Sequence, residues 1–240
     1  MFVKFFTFVI IVIPVTTELV PYIHTCGRKN PYLDSCVKHS VEDLREKICM
    51  GIPELEAPPL ESFVIDNMTI YDTNDAKLFL KDSNMLGLCN FVLNTIHVEL
   101  EKPQITFTLT FPKVYVNSTY DIAIRILVLI AHKGPIYFSL DNVLVKYALD
   151  LKIITRYGEK YVYATKINLH LEFKKLEIKL DANEPAQINE IISTFLSDNK
   201  EELIAQIKPS LETEISKKLL LITNNILKHF TFDDLFPDRD

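Results

Sequence analysis

The chain has 240 residues, 48% of them hydrophobic and 24% charged, with five glycines, no tryptophan and a formal net charge of −6. That composition suits one folded domain with a sizeable core and excludes general disorder. The acidic balance, with no basic stripe, makes nucleic acid a poor candidate partner and disfavours adhesion to anionic membranes, and the scarcity of glycine argues against a phosphate-cradling loop.

Lys4 is the single charge before Glu18, and Phe5 to Val15 is a nearly unbroken apolar run. Such a run has the length of a signal-peptide core and is too short to span a bilayer. Residues 1–17 therefore read as a signal peptide, and residues 18–240 as one secreted, extracellular domain without a stable membrane anchor. Four cysteines follow, Cys26, Cys36, Cys49 and Cys89. An even count suits an oxidising compartment, and the spacing fits no zinc pattern. Asn67-Met68-Thr69 and Asn117-Ser118-Thr119 are glycosylation sequons, which makes Asn67 and Asn117 candidate sites.

Leu33, Val37, Val41, Leu44 and Ile48 recur at helical spacing. They predict one helix of roughly four turns, opened by Asn30-Pro31 and Asp34 and closed by Gly51 and Pro53. Residues 54–60 are proline-rich and read as an extended connector. Strands dominate the middle of the chain. Ile105, Phe107, Leu109 and Phe111 alternate with threonines, one dry face against one wet face. Tyr120 to Ala131 reads as a further strand, apolar on both faces over part of its length.

Ile136–Leu140 and Val143–Ile154 read as two more strands. Residues 156–160 read as a hairpin turn, and Tyr161 to Phe173 as the returning strand. After Lys174-Lys175 the apolar phase slips by one residue, to Leu176, Ile178 and Leu180, which predicts a bulge and a bend. Gln187–Leu196 is a short helix. A longer one runs from Asn199 to about Phe230, a rod of about 45 Å with Pro209 as a kink. Its segment Leu219–Ile222 is apolar all round, as expected of a rod enclosed by a curved sheet.

The sequence carries no sign of catalysis. No two histidines lie at helical ligand spacing, and no serine sits in a nucleophile-elbow context. His132, beside Gly134-Pro135, is the most site-like and reads as a solvated loop histidine. Asp233-Asp234 and Glu201-Glu202 read as solvated surface pairs. No enzyme activity, metal or cofactor is expected.

Several short motifs then fall in a familiar order. Cys26 and Cys36 precede an amphipathic helix containing Val41-Glu42-Asp43-Leu44-Arg45. Next comes Gly51-Ile52-Pro53-Glu54-Leu55, followed by Pro58-Pro59-Leu60. Gly87, Phe111-Pro112, Tyr120, Gly134 and Leu235-Phe236-Pro237 follow. In this the chain resembles the takeout and juvenile-hormone-binding proteins, secreted insect carriers, over nearly its whole mature length. The resemblance implies an α+β fold, a long C-terminal helix wrapped by a strongly curved antiparallel sheet, with an internal hydrophobic tunnel. It implies a disulfide between Cys26 and Cys36. Cys49 and Cys89 lie outside that pair and read as a second bridge or, preferred here, as two buried thiols.

The expected function is carriage of one small elongated apolar ligand, a terpenoid hormone, fatty acid or similar lipid, in an internal tunnel, by a monomer. Alternatives are lipid transfer or recognition at membranes and, behind it, an esterase on such ligands. Aromatic residues on the dry faces are individually ordinary core, but as a group they suit a tunnel lining with a few tyrosine hydroxyls. The candidate ligand-binding residues are Phe107, Leu109, Phe111, Tyr120, Ile122, Ile124, Phe138, Tyr147, Tyr161 and Tyr163.

Overall fold

The computed structural model describes residues 22–74, 76–125, 129–181 and 186–240. Residues 1–17, read as a signal peptide, lie outside the described residues. Among the described residues, two helices, α1 (Leu33–Asp43) and α2 (Arg45–Met50), precede seven strands. The strands are β1 (Phe63–Asp72), β2 (Ala76–Leu86), β3 (Val92–Glu99), β4 (Gln104–Arg125), β5 (Leu129–Arg156), β6 (Glu159–Glu172) and β7 (Lys175–Leu180). Helices α3 (Ala186–Asp198), α4 (Lys200–Leu227) and α5 (Phe232–Leu235) complete the chain.

The sheet is antiparallel, in the order β1-β2-β4-β5-β6, with β3 added to β4 and β7 to β5. Helix α4 packs against both β1 and β6, the two ends of that order. One helix can touch both ends only if the sheet curls around it, so the architecture is a half-barrel with α4 in its concave face. Curling comes from paired irregularities. On β4 the inward positions are odd up to Phe111 and even from Val114; on β5 they are even up to Phe138 and odd from Val143. The register stays unbroken through this point, with Phe111 opposite Val143 and Lys113 opposite Asp141. Both strands therefore change phase together around Pro112 and Asn142, the latter in the left-handed region at φ 52°. A shared kink keeps the same concave face lined by apolar side chains along the whole hairpin.

Several expectations need correction. The N-terminal helix is two, broken at Leu44. Tyr120 to Ala131 is not one strand: β4 ends at Arg125, β5 begins at Leu129, and the two pair there. The double-sided apolarity came from adding residues of two strands together. Conversely, Ile136–Leu140 and Val143–Ile154 form the single strand β5. It pairs with β7 over Ile136–Asp141 and with β6 beyond Leu144. The slip at Lys174-Lys175 marks the gap between β6 and β7. The turn at residues 156–160 is tight, with Tyr157 and Gly158 both at positive φ, the geometry that suits a two-residue hairpin loop.

Helix α4 is not enclosed. Of its residues only Leu203 is buried, and Leu221 is 64% exposed. Its inner stripe, Ile204, Ile207, Leu211, Ile215, Leu219 and Ile222, packs into the main core, while the opposite side faces solvent. Pro209 lies within the helix, as expected.

The bridge Cys26–Cys36 ties the N-terminal segment to α1. Cys49 and Cys89 are also bonded, with Cα atoms 5.6 Å apart, which overturns the preference for thiols. This second bridge joins α2 to the turn before β3. The same turn is held by Glu61, whose carboxylate accepts from the Gly87 and Cys89 amides at 3.1 and 3.3 Å. At the far end, Thr231 and Asp234 form a reciprocal cap on α5, and Asp233 pairs with Arg28. The adjacent carboxylates therefore serve a helix start and a terminus-to-terminus contact. Gly27 is required there, because an added Cβ would lie 2.1 Å from the Arg239 carbonyl oxygen.

Candidate ligand cavity

Between the first half of α4 and the concave face lies a cavity of about 50 Å³. Met68 comes from β1, Leu80 and Met85 from β2, Val116 from β4, and Phe138 and Leu140 from β5. Leu171, Phe173 and Leu176 close the β6–β7 side, and α4 contributes Ile204, Ile207, Lys208 and Leu211. Lys208 is the single lining residue with a polar side chain. A cavity lined this way holds no water stably, since water needs two or more polar partners. It is smaller than the roughly 300–1,000 Å³ of ligand pockets. Two of its walls can yield: Met68 and Met85 are unbranched and adaptable, and α4 lacks a helical amide at Pro209.

The residues expected at the site divide into three groups. Phe111, Tyr120, Ile122, Ile124 and Phe138 belong to the buried cluster around this cavity, with Phe107 and Leu109 packed against it, and Phe138 lines the cavity directly. Tyr147 lies in a second cluster with Ala164 and Ile167, facing Leu219, Leu220 and Leu227 of α4. Burial pushes its hydroxyl up to about 12, partly offset by a hydrogen bond with Thr223. Tyr161 bridges to Thr231 and donates to Glu159 at 3.0 Å, beside the C-terminal segment. Tyr163 is 50% exposed, between the inward Val162 and Ala164, so it sits on the outer face. The alternation read through Tyr161 and Tyr163 missed a register shift opposite Asp150 and Leu151, which changes the inward phase of β6.

Tyr120 is almost wholly buried, at 1%, and its hydroxyl shares a hydrogen bond of 2.8 Å with Nδ1 of His132. His132 is thus a strand residue of β5 and not a loop histidine. A second buried polar pair, Ser83 and Ser118, joins hydroxyls at 2.8 Å where β2 bulges at Asp82 (φ 52°). Both pairs satisfy buried polar groups within the apolar cluster at little cost. Asn67 on β1 and Asn117 on β4 are exposed.

Sequence reasoning missed the contribution of β1 and β2. A signal was present: Phe63 and Ile65, then Met68 and Ile70, alternate with a slip, as do Leu78 and Leu80, then Met85. Asp66-Asn67 and Asp82-Ser83 interrupt each run and mask the period.

Among the described residues, no group of histidine, cysteine and carboxylate side chains is placed to hold a metal ion, and no helix is long and apolar enough to cross a membrane. The sequence profile of the haemolymph juvenile hormone binding protein family matches residues 5–237. A Schistocerca gregaria protein, described as a candidate beta-carotene-binding protein, is 22% identical over 224 residues, which is 90% of this chain and 89% of that protein. The crystal structure of Takeout 1 from Epiphyas postvittana superposes with a TM-score of 0.71 at 18% identity, covering 88% of this chain and 98% of the other. It shares the fold.

Proposed function

The chain belongs to the haemolymph juvenile hormone binding protein family, and from that premise we propose that it is a secreted monomeric carrier of one elongated apolar molecule. The observation that carries this reading is the cavity between α4 and the concave face, lined by apolar side chains with Lys208 as the one exception. Apolar burial at about 25 cal/mol per Å² supplies the affinity of such a site. The buried hydroxyls of Tyr120 and Tyr147 are the polar groups nearest in kind to what orients a ligand in an apolar pocket. The similar protein described as a candidate beta-carotene binder supports a long, apolar ligand class. The two disulfides, the apolar N-terminal run and the exposed sequons at Asn67 and Asn117 support passage through an oxidising, glycosylating compartment.

Binding, with no chemical step, is the proposed activity. Native mass spectrometry of protein purified from its own source, followed by extraction, is expected to release a bound apolar molecule. Protein that carries none, and that takes up neither a terpenoid nor a fatty-acyl probe on titration, overturns the reading.

A further inference from the structure

Resting on that reading, we propose that the ligand is an apolar chain ending in an acidic group, and that Lys208 of α4 receives that group at the rim of the cavity. Twelve of the thirteen lining residues are apolar, and the thirteenth is Lys208. Lys208 is half-buried, the exposure expected of a long cationic side chain whose stem covers apolar surface while its ammonium stays in water. A cation at the edge of an otherwise apolar cavity suits a molecule with a long tail and one negative end.

The charges around Lys208 leave it available. Glu172 lies within range of its field, but that carboxylate is hydrogen-bonded by Lys146 at 2.8 Å and has His170 beside it at 3.6 Å. Glu212, one helical turn beyond Lys208, accepts from the Leu171 amide at 2.8 Å and lies 3.2 Å from His170. Both acidic neighbours are thus committed to β5 and β6. Among the described residues Lys208 itself enters no ion pair or hydrogen bond. An entering carboxylate needs to break no existing contact to reach the ammonium, and at neutral pH it is ionised.

The position also coincides with a weak point of the helix. Lys208 immediately precedes Pro209, where the helical amide is missing.

The test is titration calorimetry with lauric acid and methyl laurate, which share a chain and differ in the charge of the head. The unmodified protein is expected to bind the acid about tenfold more tightly, the scale of one charge-assisted hydrogen bond. Lys208→Met keeps the apolar stem. It is expected to lose that preference, the acid weakening about tenfold relative to the ester, and Lys208→Arg is expected to keep it. Equal affinity for acid and ester in the unmodified protein overturns the inference and leaves the carrier reading standing. So does a Lys208→Met variant that weakens both probes alike. If neither laurate probe binds, this inference falls, while the carrier reading is still decided by the natively bound molecule and by the terpenoid probe. Unaltered melting of the variants separates a change in binding from a change in folding.

Discussion

Phe107 and Tyr147 face one another across β4 and β5, their rings nearly parallel with centroids 4.2 Å apart. The stack sits where the main core meets the cluster packed under the second half of α4, away from the residues that line the cavity. Phe107 is therefore a packing residue. Phe107→Ala is expected to cost about 3 kcal/mol of stability, the lower end for a phenylalanine because the ring is only partly buried. Affinity for an apolar probe, measured on the folded fraction, is expected to stay the same. A denaturation curve run beside a probe titration checks both, and a loss of affinity without a loss of stability would return Phe107 to the ligand site.

Helix α4 has two faces of unequal consequence. Ile215 packs against the core of the half-barrel, whereas Leu221 is 64% exposed on the other side. Ile215→Asp places an unpaired charge at that packed face and is expected to lower stability by at least about 3 kcal/mol. Leu221→Asp is expected to shift stability by less than about 0.5 kcal/mol. Thermal melting of the two variants decides the matter. Equal losses would mean that the helix is enclosed on all sides.

The legible parts of the fold were those where one strand or helix kept a single period. Ile105 to Phe111 alternates without interruption, and the stripe of α4 holds its spacing from Leu203 to Ile226. Both features were readable, and so was the helix–sheet partnership they imply. What failed was phase. Each long strand here carries a bulge or a kink, at Asp82, at Pro112 with Asn142, and opposite Asp150–Leu151. Every slip moves a side chain to the opposite face, so Tyr163 read as inward while Val162 and Ala164 hold that place. Apolarity all round at Leu219–Ile222 predicts enclosure, yet a helix in an open half-barrel leaves Leu221 in solvent. Lys208 was missed because its role depends on which strands curl to meet α4, a long-range relationship with no local signature.

The two disulfides close loops of different length, with separations of 10 residues for Cys26–Cys36 and 40 for Cys49–Cys89. In the loop-entropy model these stabilise by about 3 and about 4 kcal/mol. Removing the second pair by a double Cys→Ser change is expected to cost more than removing the first. Arg45 supports the same corner, with its guanidinium 4.0 Å above the Phe91 ring and donating to the Phe91 carbonyl at 2.5 Å. Peptide mapping without reduction should recover a Cys49–Cys89 peptide, and urea denaturation of each double variant ranks the two bridges. Free thiols at Cys49 and Cys89 in the mature protein would remove this corner from the account.

Asp34 connects α1 to β3. Its carboxylate accepts from the Val98 amide at 2.8 Å and lies 2.9 Å from Nδ1 of His97. The hydrogen bond with Asp34, reinforced by its charge, raises His97 above its ordinary value of 6.5. Burial pushes Asp34 up, but the bonds from His97 and Val98 together outweigh it and hold the carboxyl below its usual range. The signs follow from linkage. A histidine raised in the folded state contributes stability that is complete below about 6.5 and fades as pH rises through the folded value. A carboxyl lowered in the folded state contributes above its ordinary value of about 3.9 and loses that contribution as pH falls through the folded one. Docking of α1 is therefore firmest in mildly acidic solution, between those limits, and weakens toward alkaline pH. The change is small because both groups are substantially exposed. Asp34→Asn keeps an oxygen for the Val98 amide and removes the charge. In an NMR titration the His97 ring is expected to ionise above 6.5 in the unmodified protein and to move down toward 6.5 in this variant. A ring that titrates identically in both would mean that Asp34 holds α1 through the Val98 amide alone.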